Sequence, residues 1–237
     1  MPQLRRMPGF RAAKFVYHLV RGVESRNAAL LLLRPPDGLY QPYGTTSNDR
    51  YPEIFQHVRE QIGDDADRRI LSFGCATGEE VFSLRRYFPL ATIVGLDINP
   101  HNIRVCRSRL RKIKDARIVF SVAGSTANEP SASYDAIFAM AVFRHGDLNK
   151  VPSPPTCGHR IRFADFDQSV TDLARSLKPG GLLVIRHAMF RFADTRAASQ
   201  FEAVFSLDPG ENGPLYNRDN RLLPGAVDPE VVFRKIA

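Results

Sequence analysis

The sequence predicts an α/β fold: a doubly wound, mostly parallel sheet of seven strands with an N-terminal helical extension. Three observations carry this. Short apolar runs alternate with helical patterns from residue 52 onward, a glycine-rich turn follows the first strand, and two further strand-like runs close the chain. A chain of 237 residues that is 43% hydrophobic is long enough for one sizeable core.

The elements follow in order. Pro52 opens a helix that carries Ile54, Phe55, Val58 and Ile62 on one face. Residues 69–73 form the first strand, and a helix through Val81, Phe82 and Tyr87 comes after the glycine turn. Residues 91–96 are the second strand. Asn99 and Pro100 then start a helix, with asparagine as cap and proline in the first turn. Its expected buried stripe is Ile103, Cys106, Leu110 and Ile113. Strands follow at 117–120 and 134–139, then a helix marked by Val170, Leu173 and Leu177. Lys178-Pro179-Gly180-Gly181 is expected to stop that helix before a strand at 182–185. The last two strands are 201–207 and 231–236. Residues 145–163 and 208–228 read as lids or loops.

The first 50 residues read as a separate basic helical extension and lid connector, leaving 51–237 as the main domain. The net charge is +8, and residues 1–34 alone hold seven Arg or Lys against Glu24. The main domain is therefore close to charge balance, so a nucleic-acid partner is not favoured. No run approaches the roughly 18 apolar residues of a membrane span. Three cysteines without paired spacing suggest a reducing compartment, read as the cytoplasm. Cys157-Gly158-His159 has no partner pair at ligand spacing, so no metal is expected.

The chemistry is concentrated in Ser72-Phe73-Gly74-Cys75-Ala76-Thr77-Gly78-Glu79-Glu80 and in Gly95-Leu96-Asp97. A glycine turn at the carboxyl edge of a strand lets backbone approach a ligand, and an acid after the next strand suits ribose hydroxyls. The dinucleotide spacing Gly-x-Gly-x-x-Gly is absent, and no Lys-Ser/Thr pair follows Gly78 as a P-loop requires. Glu79 and Glu80 would repel a pyrophosphate and suit an ammonium. Together these features point to a nucleoside with a cationic amino-acid tail.

Taken in order, Gly74-Cys75-Ala76-Thr77-Gly78, Gly95-Leu96-Asp97, Tyr134-Asp135-Ala136-Ile137-Phe138 and Leu177-Lys178-Pro179-Gly180-Gly181 resemble the class I S-adenosylmethionine-dependent methyltransferases. The local stretch Gly74 to Glu80 is most similar to the chemotaxis-receptor glutamate methyltransferases. The resemblance implies S-adenosyl-L-methionine as cofactor. Gly74, Cys75, Ala76, Thr77 and Gly78 would border its methionine part, Glu79 or Glu80 its ammonium, and Thr46 and Arg50 would lie ahead of the turn, with Arg50 on the carboxylate. Asp97 would take the ribose, Ile98, Gly124 and Ser125 the adenine, and Met140 and Ala141 the transfer site. Ser72, Ala76 and Ser125 depart from the usual acid, glycine and acid.

For the acceptor, His145 and His187 are the candidate catalytic bases, with Asp147 as a possible orienting acid for His145. Tyr40 and Tyr43, Met189 to Phe192, and Leu215 with Tyr216 are candidate pocket walls. The expected reaction is O- or N-methylation of a small molecule or glycan. The alternatives are an RNA or protein-carboxylate acceptor, or a module that holds the cofactor without turnover. Oligomeric state is not legible.

Overall fold

A computed structural model describes residues 49–208 and 213–236, together with Leu31, Leu33, Pro35, Pro36, Gly38 to Gln41 and Gly44. Most of the basic helical extension expected in the first 50 residues lies outside these residues, as do Tyr43 and Thr46.

The core is a seven-stranded sheet in the order β3-β2-β1-β4-β5-β7-β6. Its strands are β1 (Arg69–Phe73), β2 (Thr92–Asp97), β3 (Ile118–Val122), β4 (Tyr134–Met140), β5 (Leu177–Arg186), β6 (Phe201–Ser206) and β7 (Glu230–Lys235). The first five are parallel, and β7 runs antiparallel to both β5 and β6. The helices are α1 (Pro52–Ile62), α2 (Glu79–Tyr87), α3 (Pro100–Ile113) and α4 (Phe163–Ser176).

Strand side chains alternate between two apolar layers, as the pleat requires. Ile70, Ile93, Ala136, Phe138 and Val184 pack with Ile54 and Phe55 of α1, Val81 and Leu84 of α2, and Ile103 and Cys106 of α3. Leu71, Val94, Leu96, Ile137 and Leu183 pack on the other face with Phe166, Val170 and Leu173 of α4. Central strands buried on both faces explain why their sequences read as continuous apolar runs.

Three expectations need correction. Ile113 does not extend the buried stripe of α3: it is 54% exposed, because β3 is the sheet edge and no described element covers the last helical turn. Leu177 belongs to β5 and not to the preceding helix. Residues 178–181 do not precede that strand but lie within it, where the β4–β5 register jumps from Tyr134↔Leu177 to Ala136↔Leu182. Gly180, at φ +76°, lets the extra residues loop out. The two long loops are also joined. A bridge links Thr156 to Arg221, and Asn220 accepts the Cys157 and Phe163 amides.

Asp135, buried at the start of β4, accepts bonds from the Arg69 amide, Arg68 and Lys178 at 2.8–2.9 Å. Burial pushes its pKa up, and these donors more than reverse that, leaving it below the ordinary carboxylate value. One acid thus joins β1, β4 and the bulge of β5.

The packing at β2 gives a direct test. A Cβ on Gly95 would lie 2.6 Å from the Phe120 ring and 3.0 Å from Val81. Gly95→Ala should therefore destabilise the fold by about 1–3 kcal/mol, read as a lower urea midpoint at unchanged m-value.

Candidate active site

The carboxyl ends of β1, β2 and β4 open into a cleft with about 970 Å³ of empty space, part of it open to solvent. Its floor is the turn after β1. The Gly74 and Cys75 amides donate to the Leu96 carbonyl at 2.8 and 2.9 Å, which sews this turn to the end of β2. Gly74 takes φ +73°, and its Cβ position lies 2.5 Å from Val142, so a side chain there meets both strain and a clash. Ala76 also holds a positive φ, +46°.

Asp97 is 7% exposed and lines the cleft. Its carboxylate accepts the Ala76 amide at 2.8 Å, the Asn99 amide at 2.8 Å and the Asn102 side-chain amide at 3.0 Å. A carboxylate offers about four lone-pair positions, so a hydroxyl can still be received. Burial raises its pKa despite these donors. Asn99 caps α3 by accepting the His101 amide, as its position before Pro100 predicts.

The two glutamates at the start of α2 separate. Glu79 accepts from Thr77 and pairs with Arg109 at 2.6 Å, away from the cleft. Glu80 faces the cleft and accepts a 2.7 Å bond from Ser72, the residue that replaces the usual acid of the motif. Burial pushes the Glu80 carboxyl up to about 7, opposed by the Ser72 bond and the charge of Arg50.

The connector closes one side. Tyr40 bonds Ser169 at 2.8 Å and packs edge-on against Phe143, and Gln41 donates to the Ala141 carbonyl at 3.1 Å. Gly38 sits so close to Gly124 that a Cβ would lie 3.0 Å from its carbonyl oxygen. Arg50 lies 5.2 Å over the Tyr51 ring, and both residues line the cleft.

Of the residues singled out in the sequence, Arg50, Gly74, Cys75, Ala76, Glu80, Asp97, Ile98, Gly124, Met140 and Ala141 line this one cleft. Thr77 and Gly78 sit just behind it, Gly78 as the left-handed residue that begins α2. Ser125 turns toward α4 and donates to Asp172 at 3.0 Å. His145 is outside the lining, and its Nδ1 accepts the Asp147 amide at 3.2 Å. The Asp147 carboxylate engages Arg160 and Lys150 instead of orienting His145. His187, at φ +55°, packs its ring 5.7 Å from that of Tyr51 and borders a smaller cleft with Asp228 and Glu230. Of the candidate aromatic walls, Phe190, Phe192 and Tyr216 are core, each under 5% exposed. Tyr51, Ser83, Asn99 and Asn102 also line the cleft. Asn99 and Asn102, one helical turn apart beside Asp97, were readable as a polar face, whereas Tyr51 carried no local signal.

The profile of a family described as a methyltransferase domain matches residues 64–211, more than half of the chain. Over 165 residues the chain is 27% identical to the fatty-acid O-methyltransferase of Mycolicibacterium smegmatis, covering 67% of this chain and 50% of that protein. It is 28% identical over 123 residues to the demethylmenaquinone methyltransferase of Thermus thermophilus, covering 52% and 48%. Among solved structures, phosphoethanolamine N-methyltransferase 2 of Haemonchus contortus aligns with a TM-score of 0.44 and 20% identity, over 72% of this chain and 35% of that one. The chain spans about half the length of the curated relatives it matches. This chain belongs to the methyltransferase-domain family, and S-adenosylmethionine is the cofactor that goes with that membership.

The cleft's own chemistry fits that cofactor. Burial holds this carboxyl near 7 despite the charge of Arg50, and a ligand ammonium beside it would favour its ionised form. In the ligand-free protein Glu80 holds its proton more tightly when folded than when unfolded. Stability should therefore fall as pH rises from about 4.5 to about 7. Glu80→Gln should remove that part of the slope, so wild-type and variant melting temperatures converge at low pH and separate above 7.

Proposed function

We propose that this protein is an S-adenosylmethionine-dependent methyltransferase that methylates oxygen or nitrogen of a small molecule. The observation that carries this reading is the matched pair Glu80 and Arg50 in one cleft with Asp97, an acid and a base placed for the two charged groups of an amino-acid tail beside an acid for ribose. In this reading Asp97 holds the ribose and Ile98 and Gly124 bracket the adenine. Gly74, Cys75 and Ala76 present backbone to the methionine chain. Glu80 and Arg50 fix its ammonium and carboxylate.

When bound, the cofactor supplies an electrophilic methyl group on a sulfonium. The chain's part is placement. Met140 ends β4 and Ala141 follows it beside the cleft, and the Gln41 bond to Ala141 holds the connector over that edge, which excludes water and orients the acceptor. For a hydroxyl or protonated amine, His187, whose ring packs on the cleft-lining Tyr51, is the first candidate base. His145, whose pKa is lowered first by burial, is the second candidate.

The named acceptors of the relatives, fatty acids and demethylmenaquinone, support a small molecule over a glycan or RNA. The likeness of Gly74–Glu80 to chemotaxis-receptor enzymes keeps a protein carboxylate as the second reading. No helix among the described residues is long and apolar enough to cross a membrane, and three buried free cysteines suit the cytoplasm.

Calorimetric titration of S-adenosylmethionine, its demethylated product and NAD tests the cofactor. The first two should bind and NAD should not. Asp97→Ala, checked for folding by circular dichroism, should weaken them tenfold or more, about 1.5–3 kcal/mol for a charge-assisted bond. Failure of folded wild type to bind either would sink the reading.

A further inference from the structure

One stripe of α2 serves the cleft twice. Residues three and four apart share a helix face, so Glu80, Ser83, Arg86 and Tyr87 follow one another along the same side of α2. Glu80 and Ser83 line the cleft, and Arg86 and Tyr87 continue the stripe beyond it.

Asp49, the residue before Arg50, is fastened to this stripe at three points. Its amide donates to the Ser83 hydroxyl at 2.9 Å, and the Tyr87 hydroxyl donates to its Oδ1 at 3.0 Å. The Arg86 guanidinium lies 3.3 Å from its Oδ2. An exposed ion pair alone contributes little, but here it joins two hydrogen bonds that fix backbone and side chain together. Ser83 is buried, so its bond to the Asp49 amide is costly to lose. Asp49 also holds φ +50°, a left-handed conformation that aspartate and asparagine tolerate better than most side chains.

The chain after Arg50 returns to the same helix. Tyr51 leads into α1, whose Phe55 ring packs 5.4 Å from that of Tyr87 and whose Arg59 donates to the Tyr87 carbonyl at 3.0 Å. Arg50 is thus carried between two attachments to α2. Its side chain is exposed, and ordering such an arginine on an anion costs rotamer entropy. A backbone fixed beforehand keeps that cost from growing.

We propose that Asp49 is a positioning residue that aims Arg50 at the carboxylate of the bound amino-acid tail. This rests on the methyltransferase reading of the cleft. One rigid helix then sets both ends of the tail, the ammonium directly through Glu80 and the carboxylate through Asp49 and Arg50. Asp49 lies outside the cleft lining, so its effect passes through its neighbour. The selectivity that follows is for a tail that keeps its carboxylate over one that has lost it.

The test titrates S-adenosylhomocysteine and its decarboxylated analogue, which keeps the adenosine, thioether and ammonium. Wild type should prefer the first about tenfold or more, the worth of a charge-assisted bond, and Arg50→Met should remove that preference. Asp49→Gly keeps the backbone conformation but removes the side-chain bonds. It should lower the preference at least threefold while the analogue binds within twofold of wild type. Asp49→Asn, which still accepts from Tyr87, should recover most of it. Tyr87→Phe, outside the cleft, should lower it at least twofold and decides the matter if Asp49→Gly does not fold. Asp49→Gly should add nothing in the Arg50→Met background. A preference unchanged in the folded variants, equal weakening of both ligands, or a further loss in the double variant would overturn the positioning role. So would a wild type that binds both ligands equally, with the cofactor reading intact. A wild type that binds neither would overturn both.

Discussion

The Asp97 carboxylate ties together parts of the chain that are distant in sequence, and the cleft takes its shape from that tie. It accepts the Ala76 amide across 21 residues, while the Asn99 amide and the Asn102 side chain reach it from the start of α3. The Gly74 and Cys75 amides add two bonds to the Leu96 carbonyl. The turn after β1 is thereby held by the end of β2 and not by its own sequence alone. That outside support lets Ala76 occupy a left-handed conformation where glycine is usual, since the bonds across the turn offset the strain of its Cβ.

The sheet was legible because its central strands are buried on both faces. Residues 136–140 form an unbroken apolar run, and residues 70–73 are broken only by the buried Ser72, which leaves little else for them to be. Asn99-Pro100 marked a helix start through side-chain chemistry that is local. The boundary at Leu177 was less readable. Leucine serves a helix end and a buried strand equally, and the bulge over residues 178–181 exists only because β4 pairs on both sides of it. Ile113 shows the same limit, since periodicity reports a stripe but not where the sheet beneath it stops.

The cofactor end of the cleft was readable for a related reason: its residues fall in two short segments, 74–80 and 97–102. Which glutamate faces inward depended on Arg109, thirty residues away, drawing Glu79 outward. Tyr51 and His187 meet only after β4 and β5 are side by side, so no local pattern announced that contact, although His187 alone stood out as a candidate base. Serine at position 72 supplies a neutral hydrogen bond to Glu80 where an acid would have placed a second negative charge beside it. Part of the departure from the usual motif is thus absorbed by the glutamate eight residues further on, in the first turn of α2.

Asn220 has a consequence of another kind. Its carbonyl accepts the Cys157 amide at 3.0 Å and its side chain accepts the Phe163 amide at 2.7 Å, while the Leu222 amide returns to Pro155. The loop that enters α4 and the loop that leads into β7 are therefore stitched into one cooperative unit by contacts some sixty residues apart. Such stitches form late, after the sheet has brought both loops together, because closing a long chain segment costs entropy before any contact offsets it. An insertion in either loop is thus felt by both, so the two are expected to vary in length together as this framework is adapted to new uses.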